Sequence, residues 1–162
     1  MKKEGVVDMF IKENDDILDE IKTNTCSNIL VIFDDMLNSD HLKSIAELYT
    51  VQIRHCNLNA IFLTQKLFVN NEYFRQISGN SDYFVLFKNP RNTTDIRVLS
   101  GQMTPGSNEL VQIYNKATEK PYSYLFVNLT QSCPHHLRFL SCLFKDNYIV
   151  NVYITSDCPI DE

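Results

Sequence analysis

The chain has 162 residues, of which 44% are hydrophobic and 22% charged, with only 4 Gly and 5 Pro; this excludes a disordered or fibrous protein and allows one core that buries roughly 68–70% of the unfolded surface. A net charge of -5 excludes a general basic field for holding nucleic acid, so any DNA contact must be local or supplied by a ring of subunits. The 5 cysteines are odd in number and lack C-x-x-C spacing, which argues against a disulfide framework and a zinc ribbon and for reduced thiols in an intracellular protein.

Met1-Lys2-Lys3-Glu4-Gly5 leads into an acidic stretch instead of an apolar signal region, and no apolar run of about 18 residues occurs. The expectation is an unsecreted protein without membrane contact, placed in the cytoplasm, the nucleus or a viral factory. The sequons at Asn92 and Asn128 then read as chance matches. Val6, Val7, Met9, Phe10, Ile17, Leu18 and Ile21 recur at helical spacing among acids and lysines, so residues 6–22 predict an amphipathic helix with a break near Asn14. Residues 24–28 predict a turn.

Ile29-Leu30-Val31-Ile32-Phe33 is an unbroken apolar run, the pattern of a parallel strand covered on both faces, and it ends in Asp34-Asp35. Asn38-Ser39-Asp40 supplies caps for a helix over about 40–54. A second strand over 59–64 ends at Gln65, a short helix falls within 68–80, and Tyr83-Phe84-Val85-Leu86-Phe87 is a third buried-type strand stopped by Pro90. Helices follow over 92–102 and 107–118, the latter capped at Ser107 or Asn108. A strand over 123–129, a proline-started segment with Leu137, Phe139, Leu140, Leu143 and Phe144, and a strand over 148–154 complete the chain. This alternation predicts an α/β fold in which the strands near 29–33, 59–64 and 82–87 lie parallel in one sheet.

Ligands bind at the C-terminal edge of such a sheet, where Asp34 and Asp35 would emerge. There Asp34 suits a hydrated magnesium ion, while Asp35 can orient or deprotonate a water; the alternative is that both acids form a solvated turn or helix cap. Gln65 at the neighbouring strand tip can hydrogen-bond a phosphate or its water, or merely bond backbone. Arg54 can serve as an arginine finger or as an ordinary helix-end cation, and Arg75 and Arg91 compete with it. His135-His136 and Cys133 lack ligand spacing for zinc, and the strand aromatics Tyr83, Phe84, Phe87, Tyr124 and Phe126, with Tyr122, read as core. No stretch fits G-x-x-x-x-G-K-[ST].

In order, Leu30-Val31-Ile32-Phe33-Asp34-Asp35-Met36, Arg54-His55-Cys56-Asn57, Ile61 to Phe68, Tyr83 to Arg91, Gln102-Met103-Thr104-Pro105 and Lys120 to Leu125 resemble the genome-packaging ATPases of the HerA/FtsK superfamily, in the poxvirus and Polinton (adintovirus-like) branch. The resemblance runs from about residue 15 to 144 and implies a partial P-loop NTPase of RecA/ASCE type: a parallel sheet flanked by helices, with its first strand and phosphate loop missing. It divides a single domain, 1–162, into an N-terminal helix and turn (1–28), a Walker B and sensor-strand core (29–129) and a C-terminal segment (130–162). It assigns the Walker B acids to Asp34 and Asp35, the sensor to Gln65 and the arginine to Arg54, with ATP and Mg2+ as cofactors. Double-stranded DNA, ATPase subunits in a homo-oligomeric ring and capsid proteins are the implied partners. The family's first strand lies between the sensor strand and the next, so its loss would leave buried-type edges unpaired. A non-catalytic remnant that assembles with ATPase subunits or DNA, and an unrelated α/β binding module, stay open beside this reading.

Overall fold

A computed structural model describes residues 29–53, 58–143 and 149–156. The chain forms two compact units, divided between Asn80 and Ser81; the fold is mixed α/β.

The first unit contains β1 (Ile29–Asp34), a 3-10 turn (Met36–Asn38), α1 (Leu42–Glu47) running into a π-helical stretch (Leu48–Gln52), β2 (Leu58–Leu63) and α2 (Glu72–Gly79). β1 and β2 pair in parallel from Ile29 opposite Leu58 to Asp34 opposite Leu63. Period-two geometry puts Ile29, Val31, Phe33, Leu58, Ala60 and Phe62 on one face. That face packs against Leu42, Ile45, Ala46, Leu48 and Tyr49 of the first helical run and Phe74 and Ile77 of α2. Phe62 bridges them, its ring 6.2 Å from Phe33 and edge-on to Phe74 at 5.7 Å. Local chemistry fixes the helix starts: Asn71 Oδ1 accepts the Tyr73 and Phe74 N–H groups, capping α2, and Ser39 Oγ accepts the His41 N–H at 3.0 Å ahead of α1.

The second unit contains β3 (Tyr83–Phe87), α3 (Thr94–Met103), α4 (Glu109–Ala117), β4 (Tyr124–Asn128), a 3-10 turn (His135–Leu137), β5 (Phe139–Ser141) and β6 (Asn151–Tyr153). Its strands form an antiparallel sheet in the order β3-β4-β5-β6. The strand expected over 82–87 is therefore present but not as a parallel member of the β1–β2 sheet: Tyr83 to Phe87 pair antiparallel with Asn128 to Tyr124. The physical reason is that β4 offers five in-register residues whose aromatic rings meet across the strands, Phe87 beside its register partner Tyr124 and Tyr83 diagonally against Phe126. α4 packs on β4 and on α3, and Leu86, Ile96, Leu99, Leu110, Tyr114, Leu125, Val127 and Phe139 are buried. The cap expected at Ser107 or Asn108 is shared, with Asn108 in the cap position and Ser107 Oγ accepting the Glu109 N–H.

Two further expectations change. Tyr83, Phe87 and Tyr122, expected in the core, are exposed. The first two lie on the sheet face opposite Leu86, Leu125 and Val127, while Tyr122 sits in a turn with a left-handed backbone. The last strand is shorter than 148–154, spanning Asn151–Tyr153. The helix expected over 6–22 lies outside the described residues.

Candidate functional site

The parallel register decides where the acids and the amide fall. Asp34 is the last residue of β1 and is in register with Leu63, the last of β2, so Asp34, Asp35 and Gln65 share the C-terminal edge of one parallel pair. The Asp35 N–H donates to the Leu63 carbonyl at 3.3 Å, extending the ladder by one step beyond the strand. Asp35 then turns the chain with a left-handed backbone, φ 54 and ψ 32. An L-residue other than glycine adopts this conformation at a cost, which asparagine and aspartate bear best because their side chains bond locally. Both acids are exposed.

Just past β2, Thr64 Oγ1 accepts the Lys66 N–H at 3.2 Å and lies 3.0 Å from the Lys66 carbonyl, which tightens the turn that carries Gln65. Gln65 is exposed there. Arg54 lies outside the described residues, as do His55, Cys56 and Asn57. Arg75 is on the exposed side of α2, and Arg91 follows Pro90 in the second unit, its N–H bonded to Asn89 Oδ1 at 3.1 Å. The structure thus brings together Asp34, Asp35 and Gln65 of the residues singled out in the sequence.

Whether these residues fit magnesium and ATP is a matter of donors. Among the described residues no group of three or more His, Cys, Asp and Glu side chains can hold a metal ion. Magnesium tolerates few protein ligands only because waters and substrate phosphates fill the rest of its octahedron. Two exposed carboxylates do not amount to such a site, and the sequence holds no G-x-x-x-x-G-K-[ST] loop, so the described residues by themselves do not fit either group.

What sequence reasoning missed is the open face beside this edge. Leu30, Ile32, Ile61 and Leu63 are 58, 54, 43 and 46% exposed, all on the β-pair face opposite the helices. β2 has no strand on its second edge among the described residues. The signal was already in the sequence, since an unbroken apolar strand asks for cover on both faces. No family model, curated protein or solved structure matches the chain. No helix among the described residues is long and apolar enough to cross a membrane.

Proposed function

We propose that this chain is the C-terminal portion of a DNA-packaging or DNA-translocating ATPase of the HerA/FtsK superfamily, whose site is completed by another segment bearing the phosphate loop. The observation that supports it best is the parallel register that sets Asp34, Asp35 and Gln65 on one C-terminal edge, beside a strand edge without a partner among the described residues. That arrangement is where nucleotide-binding α/β sheets carry their chemistry. In this reading Asp34 is the metal-side acid, Asp35 the water-side acid and Gln65 the sensor, and Arg54 belongs to the contact with a neighbouring subunit. ATP, Mg2+ and double-stranded DNA are substrates and partners of the assembled ring.

The test is complementation. The purified chain is expected to hydrolyse ATP no faster than buffer. Co-expression with the strand, phosphate loop and helix of a full-length packaging ATPase is expected to give magnesium-dependent turnover that Asp35→Asn abolishes. If the segment co-purifies and turnover stays absent, the reading fails in favour of a second one, a non-catalytic module that assembles with ATPase subunits. The exposed apolar face of the β1–β2 pair is what favours that second reading, because large apolar patches mark interaction surfaces.

A further inference from the structure

β3 ends the antiparallel sheet, so one of its edges has no strand among the described residues. The ladder shows which groups that edge presents. The Leu129 N–H donates to the Asp82 carbonyl at 2.8 Å, whereas the Asn128 N–H donates to the Arg138 carbonyl, on the β5 side, at 2.9 Å. Backbone groups alternate between the two sides of an antiparallel strand. Asp82, Phe84 and Leu86 therefore turn theirs to β4, and Tyr83, Val85 and Phe87 turn theirs to the open edge. The Phe87 carbonyl accepts the Tyr114 hydroxyl, which leaves it a second lone pair. Edge strands are usually blunted by a charge, a proline or a bulge within the strand. β3 has none of these between Tyr83 and Phe87, and the side chains of Tyr83, Val85 and Phe87 are exposed.

We infer that a second copy of this chain pairs here, β3 against β3, antiparallel about a twofold axis at Val85. Two identical antiparallel strands form the self-complementary contact that a twofold dimer requires. This register sets Tyr83 opposite the partner's Phe87, Phe84 opposite the partner's Leu86 and Asp82 opposite the partner's Lys88, each pairing occurring twice. The aromatic match repeats the one β3 makes with β4, where the Phe87 and Tyr124 rings lie 5.9 Å apart. Charge selects the register. Asp82 and Lys88 are both exposed, stand three residues to either side of Val85 and carry opposite signs, so the flanking charges attract across the twofold pair. A slip of one residue sets the outward backbone groups of one copy against residues of the other whose groups face β4. A slip of two opposes Asp82 to Leu86 in one direction and Lys88 to Phe84 in the other. Five strand residues a side fall well short of the roughly 20–30 of a standard interface, so the dimer is weak and its population follows concentration. The inference concerns the second unit alone and does not rest on the ATPase reading, whose Asp34, Asp35 and Gln65 are in the first.

Sedimentation velocity of the full chain should show an average mass that climbs from monomer toward dimer with concentration. Asp82→Lys and Lys88→Asp each set like charges opposite one another at both ends of the pair, and each should raise the dissociation constant about tenfold. The double variant, Asp82→Lys with Lys88→Asp, restores both attractions at unchanged net charge and should return the constant to that of the parent chain. Val85→Pro removes an N–H that faces the open edge, where proline is tolerated, so it should abolish the dimer while far-UV circular dichroism persists. Val85→Cys reads the register directly. The Cα atoms of a hydrogen-bonded antiparallel pair lie about 5.5 Å apart, within disulfide reach, so mild oxidation should join the two introduced thiols. Peptide mapping distinguishes that bridge from any made by the 5 native cysteines. A chain that stays monomeric up to about 1 mM, association indifferent to both charge reversals, or a double variant no tighter than the single ones would each overturn the proposal. Should Val85→Pro unfold, the charge variants, which leave the β3 backbone as it is, still decide.

Discussion

Tyr114 ties α4 to the end of β3 through its hydroxyl alone, which makes Tyr114→Phe a clean perturbation. The residue is 4% exposed; its hydroxyl donates to the Phe87 carbonyl at 2.9 Å and accepts the Asn89 N–H at 2.9 Å. Phenylalanine keeps the ring and its packing, so the change removes two hydrogen bonds and little else. Each is worth about 0.5–1.5 kcal/mol net, giving about 1–3 kcal/mol in total. The lower half of that range is expected, because β3 is an edge strand whose Phe87 side chain is exposed and water can reach the freed backbone groups. The assay is equilibrium urea unfolding, with a lower midpoint at unchanged slope, together with faster amide exchange at Asn89. Tyr122→Phe, at a side chain 96% exposed, serves as the control and should change nothing. A loss below about 0.5 kcal/mol with unaltered Asn89 exchange would show that this hydroxyl does not hold the strand end, and that Pro90 and the β4 pairing alone stop β3.

Ile45→Ala, at a side chain 0% exposed in the first unit's core, should cost about 2–5 kcal/mol in urea unfolding, since the cavity is enclosed by both helical runs and the sheet. Burial pushes the Tyr49 hydroxyl up to about 12; because the folded value is raised, the stability linked to it is intact below the ordinary tyrosine range and is lost as pH climbs from about 10 through about 12. Ultraviolet titration should accordingly show one phenol ionising late, together with unfolding. The Ser156 hydroxyl, and after it the Ser156 N–H, hold the Glu109 carboxyl below its usual value. This tie between α4 and the C-terminal segment is present above the ordinary glutamate range and is lost as pH falls through the lowered folded value, which amide exchange at Ser156 would follow; Glu109→Gln should loosen it at neutral pH. Asp35→Gly should leave stability within about 0.5 kcal/mol, whereas Asp35→Val should cost about 1–2 kcal/mol, because a β-branched residue resists the left-handed backbone; equal stability for the two would show that the turn relaxes out of that conformation.

Much of the local structure was legible because it rests on local chemistry. The apolar runs at 29–33 and 83–87, Ser107 at the start of α4, and Pro90 as a strand stop each act within a few residues. The shared edge of Asp34 and Gln65 was legible too, since a strand, a crossover helix and a second strand pair in parallel by rule. The partner of 83–87 was not. An apolar run states that a strand is buried without naming its neighbour, and the choice of β4 depends on cross-strand matches such as Val85 with Phe126 that periodicity does not encode. The aromatics misled for the same reason: alternation along Tyr83 to Phe87 assigns two faces but leaves open whether anything covers both.

That last point bears on what the molecule is for. The burial of β1 alternates, with Phe33 at 4% exposed and Ile32 beside it at 54%, although every side chain from Ile29 to Phe33 is apolar. Ordinary half-solvated strands place polar residues outward, which also keeps stray partners from adhering. Here the outward positions are Leu30 and Ile32 on β1, Ile61 and Leu63 on β2, and Tyr83, Val85 and Phe87 on β3. In each unit, then, the sequence is written for cover that the described residues do not supply, and among those residues β1 and β2 in one sheet and β3 and β6 in the other each present an edge without a strand. A helix laid on such a face does not pair a strand edge, whose N–H and C=O groups bond either water or another extended chain. Cover and pairing are therefore separate requirements. The open β2 edge is a place where another extended chain can pair, whatever chemistry Asp34 and Asp35 perform beside it.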